Sequence, residues 1–348
     1  MGNKITSTEI ARLAGVSRST VSRVVNRYSN VPDETRRRVM DMIELHNYYP
    51  NLSGQVLAGK RTRTIGLFMA DAGSVSSDSI ANLLLSRIIE SASVRGYFTL
   101  THIVRDMKDH DQTRAVKECF CQRRIDGGIF IGTDNDEPVI EELIRQGYLV
   151  GIVDQARLGR AEPNRLVCNF DNVNGVRLAV RHLAELGHTS IGAIHGNLLR
   201  NSGSEKRDAF MIAMEESGLD VRPEWMLDGD FNETSGYDAM RRLLDSGTEL
   251  PTALFAANDS VAFGAIRALR EKGLQVPEHM SVIGFDDHLL SAKHHPPLST
   301  VRIDFAKMMD RLTDMLIGSI EDGAEPTEPW IAEASLVVRG SCRRMSGV

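Results

Sequence analysis

Residues 6–26 read TSTEIARLAGVSRSTVSRVVN, and this stretch predicts two short helices joined by a tight turn. Thr6 followed three positions later by Glu9 forms a capping box, so the first helix is expected to begin there. Gly15 supplies the backbone freedom that a sharp turn needs, and Ser17 can cap the second helix. This arrangement is typical of a helix-turn-helix, which lays its second helix in the major groove of DNA.

The second of these helices has two different faces. Val21, Val24 and Val25 recur at helical spacing and form an apolar stripe that we expect to face inward. The opposite face carries short polar or long cationic side chains, which can reach base edges and phosphates. Its members are Arg18, Ser19, Ser22, Arg23 and Asn26. The alternative is a small helical cap whose basic face is only solvated.

Charge is distributed unevenly along the chain. Residues 1–63 hold eleven Lys and Arg residues against five acids, a net charge of +6, whereas the whole chain carries −6. The remainder is therefore acidic and repels phosphate groups. We expect any nucleic acid to be bound by the amino-terminal head alone.

Composition places the 348-residue chain, with 42% hydrophobic residues, among ordinary globular proteins of two or three domains. No apolar run is long enough to span a membrane, and the amino terminus lacks the apolar stretch of a signal peptide, so we expect a cytoplasmic protein. Cys119, Cys121, Cys168 and Cys342 show no disulfide or zinc pattern. We expect neither a metal nor any other cofactor.

The rest of the chain divides into parts of different character. A third helix from about Asp33 to His46 completes a helix-turn-helix domain over residues 1–47. Residues 48–63 are polar and broken by glycine, which predicts a linker. From residue 64 to 348, short apolar runs alternate with amphipathic helices, and such alternation predicts parallel sheets covered on both faces. This length exceeds that of a usual single sheet, so we expect two α/β lobes with a cleft between them.

The expected strands and helices of this α/β region follow from its apolar runs and helical periodicity. The strands are predicted at 65–70, 128–131, 150–153, 191–195, 253–256 and 281–285. The helices are predicted near 80–95, 111–123, 137–146, 172–186, 205–217, 234–245 and 259–272. In such an architecture a ligand binds at the carboxyl ends of the strands.

Several blocks, in order and spread over essentially the whole chain, resemble the lactose-repressor/galactose-repressor family of transcription regulators. The blocks are IARLAGVS (10–17), TVSRVVN (20–26), NYYPN (47–51), LAGK (57–60), LGH (186–188), AND (257–259), VIGFDD (282–287) and PLSTVR (297–302). The resemblance implies an all-α helix-turn-helix head and an α/β core of two parallel-sheet lobes, like the periplasmic binding proteins. It further implies a repressor that binds palindromic operator DNA as a homodimer and responds allosterically to a sugar-like effector between the lobes.

The resemblance also gives roles to residues of the head. Arg23 is expected to reach a guanine edge or a phosphate, and a bidentate Arg–guanine pair is worth roughly 1–3 kcal/mol of discrimination. Arg18 and Ser19 match the positions that set specificity, whereas Thr20 and Asn26 are expected to contact the DNA backbone. The complete set of expected DNA contacts is Thr6, Ser17, Arg18, Ser19, Thr20, Ser22, Arg23, Asn26, Asn51, Leu57 and Lys60.

The linker at residues 52–58 resembles a hinge helix that becomes ordered only on operator DNA. Leu57 would then be wedged between base pairs in the minor groove and kink the duplex; the alternative is a leucine packed between domains. Gly54 stands where the family usually has alanine, and a glycine inside a helix costs about 1 kcal/mol. We therefore expect this hinge to depend on DNA more than usual.

Polar residues near the carboxyl ends of the predicted strands are the expected effector contacts. Asp154, Asn258 and Asp286 each follow a strand, and Lys206 begins a helix. An acid, an amide and a cation can grip adjacent hydroxyls, which suits a sugar or a sugar derivative, although each could equally be a helix cap or an ion pair. The candidate set is Ser77, Asp78, Asp154, Lys206, Arg207, Phe231, Asn258 and Asp286.

One departure from the family concerns the segment KRDAF (206–210), where Lys206 replaces the usual arginine. A bidentate fork then becomes a point charge, unless Arg207 substitutes. Two other classes of protein stay open: an exported solute-binding receptor with an incidental extension, and a sugar-modifying enzyme. The enzyme would need an acid/base pair, an activated nucleophile or a phosphate loop, and the sequence offers none. We therefore expect a protein without catalytic residues.

Overall fold

The computed structural model of the protein describes residues 5–26, 28–49, 61–70, 79–156, 162–323, 325 and 328–345. The chain divides into two compact units, Met1–Thr62 and Arg63–Val348. In its described part the first unit is helical, whereas the second contains two sheets flanked by helices. In the parts just named, no helix combines the length and the apolar character that a membrane crossing requires.

The first unit contains the helices α1 (Ser7–Leu13), α2 (Arg18–Val25) and α3 (Asp33–Leu45). Thr6 and Glu9 cap α1 with the predicted reciprocal capping box. The Ser17 hydroxyl accepts the Thr20 amide hydrogen at the beginning of α2, and Gly15 has a φ of 64° between the two helices. Local sequence signals therefore set the helix-turn-helix geometry.

A small apolar core holds these three helices together. Its buried members are Ile10, Ala11, Ala14, Val21, Val24, Val31 and Val39. Val21 and Val24 supply the inward stripe predicted for α2, and Val25 is half-buried beside it. Because this stripe faces the core, the opposite face of α2 is turned to solvent.

The described part of the second unit contains both strands and helices. The strands are β1 (Thr64–Ala70), β2 (Phe98–Val104), β3 (Gly127–Ile131), β4 (Val150–Val153), β5 (Arg165–Phe170), β6 (Ile191–Ile194), β7 (Met226–Leu227), β8 (Ala253–Ala256), β9 (Ser281–Asp286), β10 (Ser299–Ile303), β11 (Trp330–Ala332) and β12 (Ala334–Val337). The helices are α4 (Ser79–Val94), α5 (His110–Cys121), α6 (Pro138–Arg145), α7 (Asn172–Glu185), α8 (Asn201–Glu216), α9 (Glu233–Asp245), α10 (Asp259–Glu271) and α11 (Phe305–Asp322).

These strands form two six-stranded sheets, one in each lobe. The first sheet has the order β11-β5-β4-β3-β1-β2, and its neighbouring strands are parallel. The second has the order β12-β10-β9-β8-β6-β7 and is parallel except for β12, which pairs antiparallel with β10. Strands such as β3 and β4 are fully buried, which explains their continuous apolar sequences.

Within its described residues, the chain passes between the two lobes three times. β5 of the first sheet leads to α7, which packs on the second sheet; β10 of the second sheet leads to α11, which packs on the first; and β11 leads directly to β12. The Asp171 amide N–H donates to the Ala332 carbonyl oxygen at 2.9 Å, which joins two of the crossings. The rings of Phe170 and Phe305 also meet edge to face, with centroids 5.6 Å apart. The crossings therefore lie together at one edge of each sheet.

Candidate functional site

The outer face of α2 carries the predicted DNA contacts. Arg18, Ser19, Ser22 and Arg23 are exposed, whereas Thr20 is half-buried. The hydroxyls of this face are ordered around Ser17, whose Oγ lies 2.7 Å from the Ser19 Oγ and 2.9 Å from the Thr20 Oγ1. The face thus presents two long cationic side chains beside a row of short hydroxyls, which suits contact with base edges and phosphates.

Two of the predicted contacts already serve as helix caps. Thr6 accepts the Glu9 amide hydrogen, and the backbone hydrogen bond from Thr6 holds the pKa of the Glu9 carboxyl below its usual value. Ser17 caps α2 in the same way. The Asn26 amide donates to the Ser22 hydroxyl oxygen at 3.2 Å. The roles of these residues in DNA binding stay predictions.

Some predicted residues lie outside the described part of the chain. Asn51, Leu57 and Lys60 belong to this group, together with the proposed hinge helix at 52–58. Ser77 and Asp78 of the expected effector site belong to it as well.

Asp154 connects the two lobes. It follows β4 of the first lobe directly, and its carboxylate accepts hydrogen bonds from the Ser202 hydroxyl at 2.6 Å and from the Asn201 amide at 3.4 Å, both at the beginning of α8 in the second lobe. Burial raises the pKa of Asp154, against the opposing effects of the Ser202 hydrogen bond and the Lys206 charge. Its φ of 67° is in the left-handed region that favours glycine, and such backbone strain is often found at functional sites.

Lys206 is a buried cation, only 4% exposed, on the side of α8 that faces the second sheet. Its Nζ donates to the Ala257 carbonyl oxygen at 2.9 Å and lies 3.6 Å from the centroid of the Phe285 ring. Burial lowers the pKa of the Lys206 ammonium, although the Asp286 and Asp154 carboxylates act in the opposite direction. This ammonium is a fixed point charge, in line with the loss of the usual arginine fork.

Arg207 does not lie beside Lys206 in the interior. It is half-buried on α8, and its guanidinium pairs with Asp208 at 2.8 Å. This geometry gives no support to the idea that Arg207 substitutes for the missing fork.

Three further candidates lie near Lys206. Asn258 caps α10 through the Val261 amide and donates to the Phe231 carbonyl oxygen, both at 2.9 Å, and its role in effector binding stays a prediction. The Phe231 ring has its centroid 5.7 Å from the Lys206 Nζ. Asp286 ends β9 with a φ of 109°. The structure therefore brings Asp154, Lys206, Phe231, Asn258 and Asp286 together around the junction of the lobes.

Sequence reasoning missed the beginning of α8, which reaches across to the first lobe. Asn201 and Ser202 are 2% and 4% exposed, and the preceding Leu199 carbonyl oxygen accepts the Asn135 amide hydrogen of the first lobe at 2.9 Å. A Cβ at Gly203 would lie 1.9 Å from the Asn197 carbonyl oxygen, so only glycine fits there. That glycine was the available sequence signal for a close contact.

Arg200 was also missed. Its guanidinium lies 5.7 Å from the centroid of the Phe231 ring. That ring packs on Gly196, where a Cβ atom would lie 2.2 Å from it. A terminal nitrogen of Arg200 is 3.6 Å from where a Cβ of Gly132 would stand, at the end of β3 in the first lobe. Arg200 is thus a cation between an aromatic ring of one lobe and the backbone of the other.

The fold and these two sites define a transcription regulator with a helix-turn-helix head and a two-lobed core. Residues 6–51 match the lacI family of bacterial regulatory proteins, and residues 180–342 match a periplasmic binding protein-like domain. The HTH-type transcriptional repressor PurR of Actinobacillus pleuropneumoniae serotype 5b (strain L20) is 30% identical over 340 residues, which cover 97% of this chain and 98% of that protein. PurR of Haemophilus influenzae (strain PittEE) is 31% identical over 338 residues, 96% of this chain and 98% of the relative.

Solved structures are similar over the same length. The lac repressor dimer bound to operator and the anti-inducer ONPF superposes with a TM-score of 0.83 at 28% identity, covering 98% of this chain and all of that one (100%). A complex of the transcriptional regulator CelR with cellobiose superposes with a TM-score of 0.74 at 28% identity. The match covers 97% of this chain and 99% of the CelR chain. The chain belongs to the lacI family of bacterial regulatory proteins, and the predicted fold class is confirmed.

Proposed function

We propose that this protein is a transcriptional repressor whose affinity for operator DNA is set by a small molecule bound between its lobes. The observation that carries the proposal is the position of Arg18 and Arg23 on the exposed face of α2, opposite the buried valine stripe. Arginine forks of this kind read guanine edges in the major groove. The positive charge of residues 1–63 and the acidic remainder direct DNA to this face.

The DNA partner that we propose is a palindromic operator. A homodimer carries two heads related by a two-fold axis, and two half-sites match that symmetry. In this proposal residues 1–47 form the DNA-binding domain, residues 48–63 form the hinge, and residues 64–348 form the core for effector binding and dimerisation. Asn51, Leu57 and Lys60 are proposed contacts of the hinge region, with Leu57 as the minor-groove wedge.

The effector that we propose is a sugar or a sugar derivative. Asp154 and Asp286 offer acceptors for hydroxyl groups, Lys206 offers a fixed positive charge, and Phe231 offers an apolar ring; these are the groups that hydroxyl-rich ligands need. The Ser202 hydroxyl donates to the Asp154 carboxylate and the Asn135 amide donates to the Leu199 carbonyl oxygen, so these two hydrogen bonds join the lobes in addition to the three crossings. An effector that prefers one lobe arrangement would shift the DNA-binding equilibrium by its differential affinity, typically about 1–3 kcal/mol.

We further propose that the protein acts by binding alone, without a catalytic step, and that it works in the cytoplasm with the chromosome. Its relatives are named as transcriptional repressors, which supports action by binding. An enzyme on this fold would instead turn over a sugar in the absence of DNA.

The experiment that tests this proposal is selection of binding sites from random duplex DNA by the purified full-length chain. A repressor of this kind should enrich a palindrome and shift it in a gel, with an affinity that falls as salt rises. A thermal-shift screen of sugars, sugar acids and phosphosugars then seeks the effector, since a ligand that binds the folded core raises its melting temperature. Failure to enrich any sequence, with or without such ligands, would refute the proposal.

A further inference from the structure

A hydrogen bond joins α1 to the recognition face of α2. The Arg18 Nε–H donates to the Ser7 hydroxyl oxygen at 3.2 Å, so that the first residue of α2 is bonded to the first residue of α1. Ser7 is half-buried, and Arg18 is exposed. The bond therefore directs the Arg18 side chain across the beginning of α1 before any DNA is present.

The bond uses one of the five N–H donors of the guanidinium group. The other four belong to the two terminal nitrogens, which lie in one plane and point along the end of the side chain. Two such nitrogens match the O6 and N7 acceptors of guanine. Because Nε–H is engaged with Ser7, Arg18 can offer its terminal nitrogens end-on to a base.

We propose that Ser7 is a positioning residue for base recognition, and that its hydroxyl holds Arg18 in the end-on orientation that reads a guanine. This inference rests on the proposed function, because it requires a DNA duplex in contact with α2. A long side chain that is ordered before binding loses less conformational entropy when it binds. Without the Ser7 hydroxyl, Arg18 samples other rotamers and discriminates less between bases.

The test is selection from random duplex DNA with the full-length chain and matched variants. Arg18→Ala identifies the operator position whose guanine preference depends on Arg18. Ser7→Ala is expected to lower the preference at that position about three- to tenfold, the entropic effect of freeing one long side chain. Preferences at all other positions should stay as in the parent.

Two further variants separate positioning from general damage to α1. Ser7→Thr keeps the hydroxyl and is expected to restore the guanine preference. Thr8→Ala changes the adjacent, exposed residue of the same helix and should select the parental sequence.

The outcomes distinguish this inference from the function on which it rests. A parental guanine preference in Ser7→Ala overturns the inference and leaves the proposed function standing. An equal loss at every position, or a selected sequence that Arg18→Ala does not change, overturns it as well. A parent chain that enriches no sequence refutes the proposed function itself, and the inference with it.

Discussion

Replacement of Ser202 by alanine removes the hydroxyl that bonds to Asp154 across the lobe junction. The lost hydrogen bond is short, at 2.6 Å, and its donor residue is 4% exposed. Of the two hydrogen bonds from α8, Asp154 then keeps only the longer one, from the Asn201 amide at 3.4 Å. The variant therefore leaves a carboxylate at the junction with one good donor fewer and changes no formal charge.

The expected loss follows from the strength of that bond. A hydrogen bond to a charged group contributes about 1.5–3 kcal/mol, so we expect Ser202→Ala to lower the free energy of unfolding by about 2 kcal/mol at pH values where Asp154 is ionised. Burial raises the pKa of Asp154, and the Ser202 hydroxyl opposes that rise because it stabilises the ionised form. Without the hydroxyl the pKa of Asp154 rises further.

The pH dependence of this loss has a definite sign. Because the folded-state pKa of Asp154 lies above its unfolded value, the protonated carboxyl favours the folded state at low pH, and this contribution is lost as the pH rises through the raised pKa. The missing Ser202 bond weakens the ionised form. The deficit of Ser202→Ala should therefore be largest above the raised pKa of Asp154 and should shrink as acidification protonates Asp154.

Urea unfolding at two pH values, one above and one below the raised pKa of Asp154, measures both effects. Ser204→Ala is the matched control, since Ser204 lies on the same helix and its hydroxyl bonds to the backbone carbonyl oxygens of Arg200 and Asn201 at 3.4 and 3.1 Å. We expect this control to change the free energy of unfolding by less than about 0.5 kcal/mol. Equal effects of the two variants, or the same deficit at both pH values, would refute the reasoning.

Three other substitutions test other parts of the molecule. Arg23→Ala should relax the base preference at one operator position by about 1–3 kcal/mol in competition binding, and an unchanged preference would show that Arg23 contacts only the DNA backbone. Leu57→Ala should weaken binding to the selected operator far more than binding to random duplex, because a wedge acts only where the DNA is kinked; equal operator affinity would remove the hinge assignment. Arg165→Met should lower the free energy of unfolding by about 3–5 kcal/mol, because the Arg165 side chain is 5% exposed and its removal breaks the buried, bidentate ion pair with Glu141 at 2.8 and 2.9 Å. Arg181→Met is the comparison, because it breaks the exposed ion pair with Glu185 and should cost less than about 1 kcal/mol. A loss as small as that in Arg165→Met would contradict the expectation.

The strands that the sequence predicted are the ones buried on both faces. β3, β4, β6, β8 and β9 are continuous apolar runs inside parallel sheets, so composition alone identifies them. β2 was missed because it is an edge strand whose residues are mostly half-buried or exposed. β5 was missed because it begins with Arg165, whose burial depends on Glu141 and Glu162, which the sequence does not show as partners.

One helix was not predicted although the sequence contains the pattern that identifies it. α11 has buried residues at helical spacing, from Phe305, Met308 and Leu312 to Leu316, and this pattern was available in the sequence. By contrast, α8 begins four residues before its predicted start, because its first turn is polar and lacks the apolar stripe that marks a helix.

Only those residues of the candidate effector site that follow strands could be predicted from the sequence. Asp154, Asn258 and Asp286 follow strands, so the rule that ligands bind at the carboxyl ends of parallel strands finds them. Arg200 and Ser202 come from the beginning of a helix in one lobe and meet groups of the other lobe. Their contribution depends on how the lobes pack, and local sequence patterns carry no information about that.

The three passages of the chain between the lobes constrain how this protein is made. The sheet of the first lobe includes β11, and that of the second lobe includes β12, so both need residues beyond 329. During synthesis neither lobe can complete its sheet until residues beyond 329 have left the ribosome, whereas the described helices of the amino-terminal unit end at Leu45. Early termination of translation would therefore yield a chain with a complete DNA-contacting head and two unfinished lobes, and a chimera that exchanges one lobe needs several splice points instead of one.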